Sequence, residues 1–208
     1  MKLLFDDTKD VVPPGCNIQS LVHPYYQHFN IELSAFNDHR YAFYFWNRWT
    51  QKYVFEQDQI NFAPSLVTLD WHQDLRPPNT SEKRMLSNLD LTKNSDVALY
   101  SWANMSKYND THILAAAHLN IIGDVYVHCR QGSNDEWKDK VIKDRHGNTH
   151  TIRKFKKIED LENCLIHSDE VGVYFDIDLD FFTITNALSR GGGGNYTYLS
   201  DAKIKQML

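Results

Sequence analysis

The sequence is poor in cysteine and has no hydrophobic run long enough to cross a membrane. Its three cysteines, Cys16, Cys129 and Cys164, are scattered and odd in number, which argues against a disulfide framework or a zinc knuckle. Reduced thiols are the simplest interpretation, and they are typical of a cytoplasmic protein. The first ten residues, MKLLFDDTKD, contain too short an apolar stretch for a signal peptide. We therefore expect a cytoplasmic protein that does not associate with a membrane.

Basic blocks are also absent, and the 208-residue chain has a net charge of -5. A nucleic-acid-binding surface is therefore not expected, whereas a cationic substrate would be tolerated. The glycine run at 191–194 lacks the spacing and the preceding strand of a phosphate-binding loop, so it is interpreted as a surface loop. Because the chain has no internal repeat or long linker, we expect one domain that spans residues 1–208.

Apolar runs that alternate with helical stretches predict a three-layer α/β fold with a mainly parallel sheet. Its strands are predicted near residues 66–70, 97–102, 121–127 and 171–176, with a further short strand at 31–36. Helices are predicted at 40–50, 111–119, 159–167 and from about Ser200. A β-hairpin is predicted as an insertion near 138–155. No closing strand follows the last helix, so we expect a truncated or unusually short version of the fold.

Two acidic motifs directly follow predicted strands. The string LDWHQDL contains Asp70, His72 and Asp74, and the string FDIDLDFF contains Asp176, Asp178 and Asp180. The carboxyl ends of parallel strands form the ligand-binding edge of such a sheet, and alternate residues of an extended segment project to one side. So many carboxylates at one edge would repel each other unless a cation lay between them. Mixed carboxylate and imidazole ligation favours manganese, iron or zinc over calcium.

Each motif has another interpretation when it is taken alone. The first could be a loop with solvated carboxylates, and the second could be an exposed acidic turn or a magnesium site. Together they predict a metal centre, because carboxylates at the end of a buried strand need partners. His39 follows the 31–36 strand and the helix cap at Asn37–Asp38, and it is a further candidate ligand. The alternative for His39 is an ordinary surface histidine.

The strings LDWHQD and YFDIDLD resemble the two metal-binding motifs of the arginase–histone deacetylase superfamily. The string NDHRYAFYFW and the ending DIDLDFF are most similar to the peptide arginases, which turn arginine side chains of ribosomally made precursor peptides into ornithine. The likeness covers roughly residues 31–182, with the motifs in the order of the family. It implies an arginase-like fold and the hydrolysis of a guanidinium group to urea.

The resemblance also implies two manganese ions per chain, held by six side chains: His39, Asp70, His72, Asp74, Asp176 and Asp178. In this scheme Asp70 and Asp176 bridge the two ions. Asp180 has no counterpart among the ligands, so it is expected either as a hydrogen-bond acceptor behind a ligand or as a cap for the following residues.

Arginases carry a further histidine soon after the first motif, but residues 75–96 contain none. His112 is the expected catalytic replacement because it follows the loop after the predicted 97–102 strand, and His118 is the alternative. Either histidine could instead lie on a helix surface. No residue matches the carboxylate with which arginases recognise the guanidinium group.

The expected substrate is an arginine within a precursor peptide rather than free arginine. Besides the resemblance, the loops at 103–110 and 183–198 follow strands that end at the metal edge and could form an open groove. The alternative is that both loops are merely disordered, which the glycine run favours for the second loop. Two other functions stay open: a related hydrolase of an amide or amidine in a small molecule, and a metal- or peptide-binding module without turnover.

Overall fold

The computed structural model describes residues 11–57, 63–130, 138–168, 172–184 and 197–207. The chain forms two compact units, Met1–Phe62 with Asp74–Ile121 and Ala63–Gln73 with Ile122–Leu208. We refer to them as the first and the second unit. The interpretation of the glycine run 191–194 as a surface loop falls outside the described residues, and the single arginase-like domain stays a prediction.

The first unit begins with an antiparallel hairpin. Strand β1 (Asn17–Val22) pairs with β2 (Asn30–Ala35), so the short strand predicted at 31–36 is confirmed. It belongs to a separate two-stranded sheet. The turn between the strands is closed by His23, whose Nδ1 atom accepts hydrogen bonds from the backbone of Tyr25 and Tyr26 at 3.1 and 3.0 Å.

The aromatic run forms the helix on which the first unit packs. A 3-10 turn at His39–Tyr41 leads into α1 (Ala42–Gln57), which confirms the helix predicted at 40–50. The first turns of α1 are apolar all round, and four consecutive side chains are almost completely buried: Phe43, Tyr44, Phe45 and Trp46. A helix with this pattern has to be enclosed by other elements, and α1 contacts α3 (Asn94–Leu99) and α4 (His112–His118).

The strand predicted at 97–102 is wrong. Helix α2 (Thr80–Ser87) begins at a capping box made by Asn79 and Glu82, and α3 then runs on into a π-helical turn at Tyr100–Asn104. Within this stretch two adjacent pairs are buried, Val97 with Ala98 and Tyr100 with Ser101, while Leu99 and Trp102 are exposed. Pairs at this spacing share one face of a helix, whereas a strand would bury alternate residues.

The second unit contains a five-stranded sheet with the order β5-β6-β4-β3-β7. Its strands are β3 (Ser65–Asp70), β4 (Val125–Cys129), β5 (Lys140–Lys143), β6 (Thr149–Phe155) and β7 (Val173–Ile177). Three of the four strand pairs are parallel, and only β5–β6 is antiparallel, so the prediction of a mainly parallel sheet is confirmed.

The predicted strand positions differ in accuracy. The strand at 66–70 is confirmed as β3, which is buried along its whole length. The strands predicted at 121–127 and 171–176 exist but lie later in the sequence, as β4 and β7. The predicted hairpin near 138–155 is confirmed as β5 and β6, and β6 also extends the main sheet by pairing with β4.

Two helices and a 3-10 turn complete the second unit. They are α5 (Ile158–Ile166), the 3-10 turn Leu179–Phe182 and α6 (Asp201–Met207), and the two helices were expected at 159–167 and from about Ser200. The buried core joins one face of the sheet to α5 and the turn through Val67, Leu69, Tyr126, Leu161, Phe181 and Phe182. The chain is therefore a mixed α/β protein.

All three cysteines are free thiols. No helix within the described residues combines the length and the apolar character needed to cross a membrane.

Gly123 packs too closely for any side chain. Its N–H donates to the carbonyl of Pro64 at 2.9 Å, and an added Cβ atom would lie 2.6 Å from the backbone oxygen of Ala63. We expect Gly123→Ala to lower the free energy of unfolding by about 1–3 kcal/mol, since the backbone at the start of β3 must shift. Urea denaturation followed by tryptophan fluorescence measures this change, and an unchanged midpoint would contradict the prediction.

Candidate metal centre

The second unit carries Asp176, Asp178 and most of the first motif at the carboxyl ends of β3 and β7. The parallel register places Thr68 beside Asp176, and the backbone N–H of Asp178 donates to the carbonyl of Leu69 at 2.9 Å. Asp70 is the last residue of β3. The two motifs therefore share one edge of the sheet, because the two strands are parallel and directly paired.

Asp70, His72 and Asp180 form a cluster at this edge. His72 Nδ1 lies 3.2 Å from Asp180 Oδ2 and 3.7 Å from Asp70 Oδ1. One ligand atom from each of the three residues lies within 4.8 Å of the others. Both carboxylates are buried, with 1% of Asp70 and 8% of Asp180 exposed. Two buried carboxylates and an imidazole suit a divalent metal ion such as manganese or zinc.

Hydrogen bonds from the backbone of the two motifs fix these carboxylates. Asp70 Oδ1 accepts from the N–H of His72 at 2.8 Å, and Asp180 Oδ1 accepts from the N–H of Trp71 at 3.2 Å. Asp178 Oδ1 accepts from the N–H of Asp180 at 3.1 Å. Their orientation is thus set by the turn after each strand before any ligand binds.

Asp176 is oriented from the neighbouring strand. The hydroxyl of Thr68 lies 3.2 Å from Asp176 Oδ2, and both side chains are buried. The register that pairs these two residues across β3 and β7 makes this contact possible.

The interaction between His72 and the carboxylates also changes how these groups ionise. Hydrogen bonds to Asp180 and then to Asp70 raise the pKa of His72 to about 10. Burial alone would raise the pKa of Asp180, but the hydrogen bond and the charge of His72 bring it below its usual value. A metal ion that binds the imidazole would have to displace this proton, so metal binding and proton release are coupled.

Arg130 joins the two segments that carry the acidic motifs. It follows β4 directly, and its guanidinium carbon lies 4.1 Å from the centre of the Trp71 ring, between Asp70 and His72 in sequence. Its Nη1 atom donates to the carbonyl of Phe181 at 2.9 Å and also to the carbonyl of Thr183. Desolvation lowers the pKa of Arg130 while the charge of Asp180 raises it, and the guanidinium remains a cation.

The first unit contains a second cluster, which consists of His39, Asp74 and His112. His39 Nδ1 lies 3.2 Å from Asp74 Oδ2, and the rings of His39 and His112 are 4.3 Å apart at an angle of 50°. One ligand atom from each residue lies within 4.8 Å of the others. His112 is completely buried, and Trp46 stacks on its ring at 5.6 Å.

Two arginines hold the backbone around this cluster. Arg40, next to His39, is buried. Its guanidinium donates to the carbonyl of Met105 at 3.1 Å, and its backbone N–H donates to the side-chain oxygen of Asn109 at 3.1 Å. Arg76 pairs with Asp110 at 2.9 Å and with Glu82 at 3.0 Å. Arg76 therefore ties the segment just after Asp74 to the segment just before His112.

The predicted site residues thus fall into two groups. Asp70, His72, Asp176, Asp178 and Asp180 lie in the second unit, and His39, Asp74 and His112 lie in the first. Asp180 contacts the His72 imidazole, and this position suits either an acceptor behind a ligand or a ligand itself. His118 lies at the far end of α4 and outside the cluster that holds His112.

Sequence reasoning missed the residues that support these clusters. Arg130, Thr68, Arg40 and Arg76 lie outside the metal-binding strings or carry no metal-ligating atom, so no motif marked them. One signal was available for Arg130, since it directly follows a strand in the parallel sheet. Ending the predicted strand at 127 instead of Cys129 obscured that position.

We expect Arg130→Met to weaken metal binding at the Asp70–His72–Asp180 cluster by roughly 10–100-fold, as is typical when a residue behind the ligands is lost. Methionine fills part of the space over Trp71 but cannot donate to the carbonyls of Phe181 and Thr183. Competition with a fluorescent chelator measures the dissociation constant.

Arg153→Met is the matched control for this experiment. Arg153 also stacks on a ring, that of Tyr126, and pairs with Asp124 at 2.7 Å, near the start of β4 and away from the ligands. This variant should lose stability but keep its metal affinity. If the Arg130 variant and the unaltered protein bind the metal ion with equal affinity, the contacts of Arg130 are not needed to position the metal ligands.

The comparisons with known proteins leave the family undetermined. No protein-family model matches the chain, and no curated protein is similar enough to be counted as a relative. The likeness to the arginases therefore depends on the two acidic motifs and on the string around His39.

Proposed function

We propose that this chain is a metal-dependent hydrolase that converts an arginine side chain in a precursor peptide into ornithine and urea. The observation that carries the proposal is the cluster of Asp70, His72 and Asp180 at the carboxyl ends of parallel strands. The arginase-like three-layer fold, two manganese ions per chain and a cytoplasmic location are parts of the same proposal. Neither nucleic acid nor a membrane is a proposed partner.

The donor atoms of this chain fit the proposed metal. Asp70 and Asp176 are buried carboxylates, and Asp178 is half-buried beside them at the same edge of the sheet. Desolvated like charges destabilise each other, so a divalent cation would stabilise the folded unit. The six proposed ligands are all carboxylates or imidazoles, the donors that manganese accepts.

When bound, the manganese ions would supply Lewis-acid activation of water near neutral pH. Water adds to the guanidinium carbon, the bond from that carbon to the side-chain nitrogen breaks, and urea leaves. The leaving nitrogen takes up a proton and becomes the amine of ornithine. The resemblance implies that His112 delivers this proton.

The side chains of the protein have two tasks in this reaction. The fixed carboxylates of the second unit keep a region of negative charge that attracts a guanidinium cation. Hydrogen bonds from Thr68 and from the backbone of Trp71 and His72 orient the carboxylates of Asp176, Asp180 and Asp70, so little reorganisation is needed when metal and substrate bind.

The first test removes single carboxylates. We expect Asp70→Ala and Asp176→Ala each to abolish urea release from an arginine-containing peptide, because each change would remove a carboxylate that is proposed to hold the metal ions. Urea is measured colorimetrically with the manganese-loaded protein.

Asp160→Ala is the control, since this acidic residue lies exposed on α5 in the same unit. It should leave urea release unchanged. Full activity in Asp176→Ala would refute the two-metal proposal. If the unaltered protein binds metal but releases no urea from any arginine compound, a binding module without turnover becomes the better description.

The second test concerns the substrate. We expect kcat/KM to be higher for an arginine-containing peptide than for free arginine or agmatine, because no group in this chain is assigned to the α-carboxylate and α-amine of a free amino acid. Mass spectrometry of the peptide should show the loss that accompanies conversion to ornithine. Turnover of free arginine at an equal or higher kcat/KM would refute the peptide substrate and leave the metal chemistry intact.

A further inference from the structure

We propose that His112 is a metal ligand which, with His39 and Asp74, completes a three-residue binding site for a transition-metal ion in the first unit. The proposal deepens the proposed function and rests on it. It replaces the role in proton transfer that the resemblance gives to His112. The site would take an ion that prefers imidazole nitrogen, such as zinc, iron or manganese.

The distances within the cluster suit a common ion. Ligand atoms that each lie about 2.0–2.2 Å from one metal ion are separated from each other by roughly 3–4 Å. His39 Nδ1 and Asp74 Oδ2 are 3.2 Å apart, and one ligand atom from each of the three residues lies within 4.8 Å of the others. The centres of the His39 and His112 rings are 4.3 Å apart and the ring planes are tilted by 50°. The cluster thus brings two imidazoles and a carboxylate close to the spacing of a coordination site.

Burial argues against an ordinary surface role for His112. The side chain is completely buried, with Trp46 stacked on one side at 5.6 Å and His39 at 4.3 Å. Imidazole is the commonest protein ligand of transition-metal ions, and it binds them through a ring nitrogen.

The backbone around Asp74 is also unusual. Asp74 has a φ of 48°, in the left-handed region that residues other than glycine seldom adopt. Such conformations persist where the surroundings stabilise them, and they are common at functional sites. Here this conformation accompanies a carboxylate that points at His39.

An ion pair and hydrogen bonds connect the three segments that carry His39, Asp74 and His112. Arg76 connects the segment after Asp74 to Asp110, which precedes His112 by two residues. Arg40, which follows His39, donates hydrogen bonds to Met105 and Asn109 in the loop that leads towards His112. The site therefore needs little conformational change to bind an ion, as expected of a preorganised site.

Two histidines and one carboxylate differ chemically from the acidic cluster of the second unit. Imidazole nitrogen binds zinc and iron more strongly than carboxylate oxygen does, whereas oxygen-rich sites suit manganese. The His39–Asp74–His112 site is therefore expected to retain zinc or iron under conditions in which the Asp70–His72–Asp180 cluster loses it.

The experiment compares His112→Gln with His118→Gln, which changes the same residue type at the other end of α4. Manganese and zinc content are measured by mass spectrometry after dialysis, and affinity is measured by chelator competition. We expect two ions per chain in the unaltered protein and in His118→Gln. His112→Gln should retain one ion, with the affinity for the second reduced by more than the roughly 10–100-fold that follows loss of a residue behind the ligands.

A second variant guards against a simple folding defect. His112→Cys supplies a thiolate that can bind Cd²⁺ and produces an ultraviolet charge-transfer band when it does. The unaltered protein and His118→Cys control for the three native cysteines. A band in His112→Cys alone supports ligation by position 112, and no band in a folded His112→Cys protein would refute it.

The outcomes separate this inference from the proposed function. If metal binding depends on His112 but no urea is released, the hydrolase proposal fails and the ligand assignment stands. If His112→Gln keeps both ions and loses only kcat, His112 acts in proton transfer and the ligand assignment is overturned. If the unaltered protein binds no metal ion, both are overturned.

Discussion

Buried carboxylates at the ends of two parallel strands are the constraint on which the rest of this structure depends. Asp70 and Asp176 are almost completely enclosed, and Asp180 lies beside them with 8% of its surface exposed. An isolated buried charge is strongly destabilising, so each carboxylate needs hydrogen bonds or a counter-charge. The turn geometry after β3 and β7, the Thr68 hydroxyl and the His72 imidazole all meet this need.

Arg130 places a positive charge near these buried carboxylates from the end of a third strand, β4. Arg130 donates hydrogen bonds to the carbonyls of Phe181 and Thr183, and the negative charge of Asp180 offsets part of the desolvation that lowers the pKa of Arg130. One side chain thus reaches from the segment after β3 to the segment after β7.

The sequence predictions were most accurate where the pattern that carries them lies within a few neighbouring residues. Alternate acidic residues after an apolar strand form a motif that can be recognised within five positions. The prediction of β3 was correct because all six of its residues are buried, which makes the strand a continuous apolar run. The 97–102 stretch failed because a short apolar run fits a buried strand and a buried helix equally well. Its pairs of buried residues, Val97 with Ala98 and Tyr100 with Ser101, became visible only through packing.

The contact between His112 and His39 is the extreme case of a signal that is not local. Nothing in the sequence near position 112 resembles a ligand motif, and the histidine expected within 75–96 is absent. The ring reaches His39 because α4 packs on α1, whose aromatic face includes Trp46. A family motif predicts the role of a residue from its position along the chain, whereas metal binding depends only on which ligand atoms lie close together. The role of His112 is therefore decided by its neighbours in the first unit, and those neighbours are another imidazole and a carboxylate.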